Sequence, residues 1–419
     1  MPGYPYLCAS SFMWHTTRWG GLFTTSYLLT RLANSPMTNQ IAGALIFAPM
    51  LFGGFLAGAI SDRIERRKLI LAVQTTLIPV EFLMFGLVQS RTVEVWMTFP
   101  FMFVLGIGGL VNMTAQRPLI YETVGPALAG PAMTIESTAQ AGSAMVGTLV
   151  GGALIDRIGM GAGFAGMGIL LCVSLVLLRL VPAPRYAAAR GTGSPVTVRD
   201  QIAAGRALVR RSRRLVAMLL VTVVMNLCMF GYTPLVPVVA QPYAHTAALV
   251  GLLAAAPGIG QIVCGLVLTV RQPSRHGLVF VCGSAVGLTG LLAFSASSAY
   301  GVAFSALLVS GVGQSGFGSM QSLLAIESAG DSERGVALGV LSTAIGALPV
   351  GMVTIGLLAE LLGTRAALTT SSVAGLVALC GIVFRLPELV ARSSGAAGGS
   401  RRNKGGPRLE RGAMRKARP

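Results

Sequence analysis

Three ionisable side chains, Arg18, Glu81 and Glu136, lie inside long apolar stretches of this chain. At the centre of a membrane helix such a group costs about 2.5–3.5 kcal/mol, so its presence there points to chemistry. The chemistry open to a buried carboxyl is to take up a proton and release it, since its charged form is costly in apolar surroundings. Glu136 is the preferred proton-coupling carboxylate, with Gln140 one turn further along the same helical face. Arg18 has three readings: the counter-charge of Glu136, a partner for an anionic group on a substrate, or a side chain that snorkels to the headgroups. Glu81, two residues after Pro79, is either a structural partner or a second coupling acid.

The elements that must hold these groups are membrane helices. The chain has 419 residues, of which 53% are hydrophobic and only 11% charged, far more apolar than a soluble domain of this length requires. At about 20 apolar residues per crossing, twelve spans are expected: roughly 10–31, 38–60, 69–89, 95–116, 130–154, 162–181, 215–238, 247–269, 277–296, 300–321, 335–359 and 365–384. The first is the weakest, because His15, Arg18 and several hydroxyls interrupt it, and no cleavable signal peptide precedes it. Lys and Arg stay on the cytoplasmic side. With both termini inside, only Arg31, Arg91, Arg157 and Arg365 of the 32 Lys and Arg fall outside, and Arg18 falls within a span. The expectation is a multi-pass protein of the cell inner or plasma membrane, its +18 net charge facing anionic lipid. No nucleic-acid partner is expected.

Other chemistries find no support. The six cysteines are scattered singly without C-x-x-C spacing, so neither a metal site nor a disulfide framework is expected. The three histidines, His15, His245 and His276, form no H-E-x-x-H, and G-x-S-x-G, paired-Asp and P-loop motifs are missing. The expectation is a protein that is not an enzyme, carries no cofactor and draws on an ion gradient in place of ATP. A membrane-embedded enzyme is thereby disfavoured, and a receptor or scaffold would be separated from a transporter by solute flux in proteoliposomes.

Between the second and third spans runs Gly58-Ala59-Ile60-Ser61-Asp62-Arg63-Ile64-Glu65-Arg66-Arg67-Lys68. The spacing G-x-x-x-D-R-x-[GE]-R-[RK]-[RK] resembles the signature loop of the major facilitator superfamily, at the place that family carries it. A plain cytoplasmic turn would want the arginines but not the acid and glycine at fixed offsets. The resemblance implies an all-α membrane fold of twelve helices in two pseudo-symmetric six-helix bundles, commonly monomeric, with the substrate site between them. It also implies a conformational latch of Gly58, Asp62, Arg63, Arg66, Arg67 and Glu122. Asp62 would sit against the start of the eleventh helix, near Ser332 or Glu333, and Arg66 would bind Glu122. The implied cavity is lined by the first, fourth, seventh and tenth helices, whose polar candidates are Tyr27, Asn112, Gln116, Asn226 and Gln314, with Gln140 beside the coupling acid. Met225, Met229, Phe230 and Phe317 nearby suit a bulky amphipathic substrate.

In the fifth span Ser143, Gly147, Thr148, Gly151 and Gly152 resemble the antiporter motif of the export branches, G-x-x-x-G-P-x-x-G-G, with Ser for the first Gly and Thr for Pro. Its physical content is a smooth glycine face that packs closely on a neighbour; a plain packing face is the alternative, and the missing Pro removes the kink. The run 29–36, Arg117-Pro118, Arg334-Gly335 and Pro349-Val350-Gly351 look like bacterial exporters related to enterobactin and macrolide efflux. A repeat is visible too. Gly43 and Pro49 have the spacing of Gly251 and Pro257, and Gly147, Gly152, Asp156 and Gly159 that of Gly351, Gly356, Glu360 and Gly363. The expected organisation is a bundle over 1–181, a linker over 182–214, a bundle over 215–385 and a basic disordered tail over 386–419. In the linker, Thr197 would cap an amphipathic helix through Arg214, lying on the leaflet with Val198, Ile202 and Val209 on one side. The function expected is proton-coupled export of small amphipathic molecules, with drugs, siderophores and secondary metabolites as candidates; the alternative is an importer or facilitator of the same fold.

Overall fold

The apolar runs fold as long helices, because a bilayer offers no water to backbone groups and a helix closes its own hydrogen bonds. The computed structural model describes residues 3–33, 35–63, 65–182, 198–271, 273–330 and 333–390, and for 52–63 and 198–202 the backbone alone. The first bundle holds α1 (Tyr4–Leu32), α2 (Pro36–Arg63), α3 (Arg66–Gln89), α4 (Val95–Val124), α5 (Ala129–Arg157) and α6 (Met160–Arg179). A short α7 (Val198–Arg211) leads to the second bundle: α8 (Arg213–Cys228), a 3-10 turn (Phe230–Leu235) and α9 (Val236–Ala240), then α10 (Ala247–Arg271), α11 (His276–Ser295), α12 (Tyr300–Glu327), α13 (Arg334–Ile345), α14 (Leu348–Leu362) and α15 (Thr364–Arg385). The chain makes twelve crossings, six per bundle. Two expected single spans are interrupted. Gly231, Pro234 and Pro237 break the seventh crossing between α8 and α9, and Gly346 with Pro349 breaks the eleventh between α13 and α14, because proline lacks the N–H a helix interior needs.

Among the described residues nine helical segments are long and apolar enough to cross a membrane on composition alone, and α1, α2 and α12 are not among them. For α1 and α12 the shortfall has a structural cause: polar side chains such as Ser10, Thr17, Ser310 and Gln314 are buried against protein. In α1, Ser10 Oγ donates to the Ser174 carbonyl at 2.9 Å and Thr17 Oγ1 to the Met167 carbonyl at 3.2 Å, both on α6. The weakest span of the sequence is therefore a central helix, packed on α4, α5 and α6.

The linker helix differs from expectation. It stops at Arg211, Ser212 Oγ accepts from Leu215 N to start α8, and Gly205 packs on Val336 and Val340 of α13, with Leu208 buried. Val198 and Ile202 lie in the stretch described by backbone alone, while Thr197, the rest of the linker over 183–196 and the tail from 391 lie outside the described residues.

The two bundles meet through the repeated glycines. At Gly251 an added Cβ would stand 2.5 Å from the Thr148 carbonyl oxygen, and at Gly152 2.6 Å from that of Ala247, so α5 and α10 touch backbone to backbone. At Gly43 an added Cβ would meet the side chains of Pro234 at 2.4 Å and Met352 at 3.3 Å, and at Gly356 those of Met37 at 2.6 Å and Gln40 at 2.9 Å, so α2 packs on the 3-10 turn and α14 with side chains seated on glycine. Gly159 and Gly363, the last residues of the repeat, both turn with positive φ, 131° and 86°, which a side chain would strain.

One end of the molecule carries the basic loops and the other, the far end, carries the end of α1, the start of α2 and the turn at 241–246. At the far end Phe23, Tyr27 and Ile155 of the first bundle join the apolar core of the second. The basic end of the first bundle has its own separate core, Leu7, Ile70, Ala115, Leu119, Ile120 and neighbours. The cross-bundle hydrogen bonds of the described residues, Ser35 and Met37 to Glu360 and Gln40 to the Gly231 carbonyl, also lie toward the far end. Among the described residues the seam is thus held together at the far end.

Candidate functional site

Glu136 is buried where α5 faces α1. Ser11 Oγ donates to its Oε1, and His15 Nε2 lies 3.7 Å from the same oxygen. Its other oxygen and His15 Nδ1 are buried without a partner. Ser11 and His15 are one turn apart on one face of α1, and Arg18 continues that face. Neither Ser11 nor His15 stood among the expected site residues; the i, i+4, i+7 spacing up to Arg18 is the signal that would have found them. Gln140, by contrast, is exposed.

Arg18 does not serve as the counter-charge of Glu136. Its guanidinium carbon stands 5.1 Å from the centre of the Phe47 ring on α2, a cation–π distance. On the other side it lies against Gly109 of α4, where an added Cβ would come 2.8 Å from Nε. Among the described residues no acid pairs with it, and Nε and Nη2 are buried without an acceptor. Nor does it snorkel: it is 8% exposed and about 20 Å along α1 from Tyr4, at 1.5 Å per residue. Asn112 and Gln116, one and two turns beyond Gly109 on the same face of α4, are buried, and Gln116 Nε2 has no partner.

Glu81 is fully buried inside the first bundle. Its Oε1 lies against Gly21 of α1, its Cβ against Gly168 of α6, and neither carboxyl oxygen has a donor. Tyr27 accepts from Arg31 Nη2 at 3.1 Å and belongs to the closed far end. In the second bundle Gln314 accepts from Gln261 at 3.2 Å and reaches the Tyr232 hydroxyl at 3.5 Å, whereas Asn226 spends its amide on the Thr222 carbonyl of its own helix. Met225 and Met229 are core residues with no exposed surface, while Phe230 and Phe317 form a ring pair with centroids 5.5 Å apart. A groove of about 630 Å³ on the outside of α11 and α12, lined by Thr289, Ala293, Val302 and Val309 among others, lies away from every buried charge.

The glycine face of α5 is split between two neighbours. At Gly147 an added Cβ would stand 2.5 Å from the Thr16 carbonyl of α1, and at Gly151 3.2 Å from Phe23, while Gly152 faces α10. Ser143 is buried and donates to the Gln140 carbonyl. At the basic end Arg66 donates to Glu122, tying the start of α3 to the end of α4. Arg67 donates to the carbonyls of Leu178 and Arg179 at 3.2 and 2.7 Å, closing the last turn of α6. The side chains of Gly58, Asp62 and Arg63 lie outside the described residues. In the second bundle Glu327, at the end of α12, takes the place that Glu122 holds in the first, accepting from Arg214 and lying 2.6 Å from His276 Nδ1.

Comparison with known proteins agrees with this architecture. The sequence profile of the Major Facilitator Superfamily matches residues 7–350. No curated protein gives a significant match. A POT family transporter in complex with 5-aminolevulinic acid is similar in structure at 11% identity, with a TM-score of 0.72, over 93% of this chain and 96% of that one. A bacterial homolog of the human lysosomal transporter Spinster, inward-facing and occupied, gives 0.71 at 13% identity, over 94% and 98%. The nucleoside transporter NupG gives 0.68 at 13% identity, over 93% and 100%. At these identities the likeness is one of fold.

Proposed function

Because this chain belongs to the Major Facilitator Superfamily and is a membrane transporter, we propose that it is a proton-coupled exporter of small amphipathic organic molecules, working by alternating access. The observation that carries the reading is the buried carboxyl of Glu136 held by Ser11 and His15 between α1 and α5 of the first bundle. A carboxyl there can hold a proton and release it as access from the two sides alternates. Ser11, donating to the same oxygen, is the group that stabilises the empty anion. The direction rests on the antiporter-like glycine face beside it, and on the resemblance to enterobactin and macrolide exporters.

With the basic end as the cytoplasmic side and both termini inside, the far-end contacts lie on the outer side. Export then requires the far-end contacts of Glu360 and Gln40 to part while the basic end closes, with Asp62, Arg66 and Glu122 as the latch. A monomer in the inner or plasma membrane suffices for this cycle, its basic loops resting on anionic lipid.

The test uses proteoliposomes with an imposed proton gradient and a pH-sensitive dye inside, to which aromatic carboxylates, amines and uncharged esters are added in turn. A transported solute should drain the gradient with the wild type. Glu136→Gln should abolish that drainage and keep downhill exchange, since the amide preserves shape and loses the titrating group. Coupled drainage that persists in Glu136→Gln moves the coupling acid elsewhere, with Glu81 next in line. The sign of solute movement against the gradient separates export from the import or facilitated transport open to the same fold.

A further inference from the structure

We propose that Arg18 is the recognition point for an anionic group, a carboxylate or its equivalent, on a transported molecule with an aromatic body. The inference rests on the transporter reading and adds the substrate class. A guanidinium without a carboxylate partner inside a membrane bundle is costly, by several kcal/mol per buried ion. Here the cost is not relieved within the protein. Among the described residues Arg18 makes no hydrogen bond and no ion pair, and Nε and Nη2 are both buried. The position is nonetheless shaped to hold the group. Phe47 supplies a ring face at 5.1 Å, and Gly109 leaves the space on the opposite side.

The same helices carry further donors, and neither Glu81, against Gly21, nor Glu136 pairs with Arg18. Gln116 Nε2 on α4 is buried without a partner, as is Trp14 Nε1 one turn before Arg18 on α1. The planar fork of a guanidinium matches two oxygens of one carboxylate. An anion reaching Arg18 would satisfy donors that nothing among the described residues satisfies, and the Phe47 ring beside it would meet its apolar body. Glu136 is engaged by Ser11 and His15 and leaves Arg18 free for this task.

The experiment titrates the purified full-length protein in non-ionic detergent with naphthoate and with naphthamide, which share a shape and differ in charge. The wild type should bind naphthoate at least tenfold more tightly. Arg18→Gln should bring the two probes within about twofold of each other. Gly109→Ala keeps the charge and presses a Cβ into the guanidinium, the far end of a flexible chain, so it should fold normally and lose most of the preference. It carries the test should Arg18→Gln fail to fold. Equal binding of the two probes by the wild type, binding of neither, or an undiminished preference in either variant overturns the proposal. Proton-coupled flux in the same preparation separates the two readings. Coupled flux of amines or uncharged esters with no preference for naphthoate overturns the anion site and leaves the transporter. Arg18-dependent naphthoate binding without coupled flux keeps the site and removes the proton coupling.

Discussion

Replacing Gly251 by Ala tests whether the two bundles pivot on a backbone contact. On helix propensity alone the change is favourable by about 1 kcal/mol, since alanine costs less backbone entropy than glycine. The structure predicts the opposite sign. The new Cβ would stand 2.5 Å from the Thr148 carbonyl oxygen, where ordinary contact begins at 3.4 Å, so α5 and α10 must part by close to an ångström. Neither neighbour is the free end of a side chain that can swing aside. Overpacking of this kind costs about 1–3 kcal/mol, and at about 1.4 kcal/mol per tenfold the touching arrangement should lose about five- to hundredfold in population relative to any state that separates the helices. Initial rates of solute-driven gradient drainage, measured at equal protein in the membrane, should fall at least fivefold for Gly251→Ala. Gly381→Ala, where nothing lies within 4 Å of the added Cβ, is the control and should stay within twofold of wild type. Full activity in Gly251→Ala, or an equal loss in Gly381→Ala, would refute the pivot.

Two further outcomes follow from the contacts at the two ends. Glu360→Gln removes a carboxylate that accepts from Ser35 Oγ and from Met37 N at the start of α2, a charged cap worth about 0.5–2 kcal/mol. Spin labels on 33 and 364 should then report a larger far-end-open fraction, by about two- to thirtyfold, and no change in the distance distribution would remove Glu360 as a latch. At the basic end Glu122→Gln removes the carboxylate that Arg66 donates to and should slow transport severalfold, whereas the paired exchange Arg66→Glu with Glu122→Arg should recover part of the rate. Equal loss in the single and double variants would show that the pair is not what matters.

Length of apolar run, basic bias and glycine spacing are properties of one chain read in order, so a twelve-crossing membrane transporter of two related halves is legible before any packing is known. Glu136 is legible as a buried acid, and Arg66 and Glu122 as a pair through the motif. Which helix stands opposite a given face is a different kind of fact. Periodicity places Ser11, His15 and Arg18 on one face of α1, yet only the packing of α1 against both α4 and α5 sends His15 to Glu136 and Arg18 to Phe47 and Gly109. Likewise, the repeated glycines announced a duplication, but their purpose appears only when α2 meets α14 and α5 meets α10 at distances no Cβ permits. Tyr27 and Met225 looked like cavity residues because of the helices they sit on; the burial of their particular faces made one a far-end contact and the other core. Tertiary structure decides partners because a helix's own geometry spaces side chains around its axis and says nothing about what fills the space beyond them.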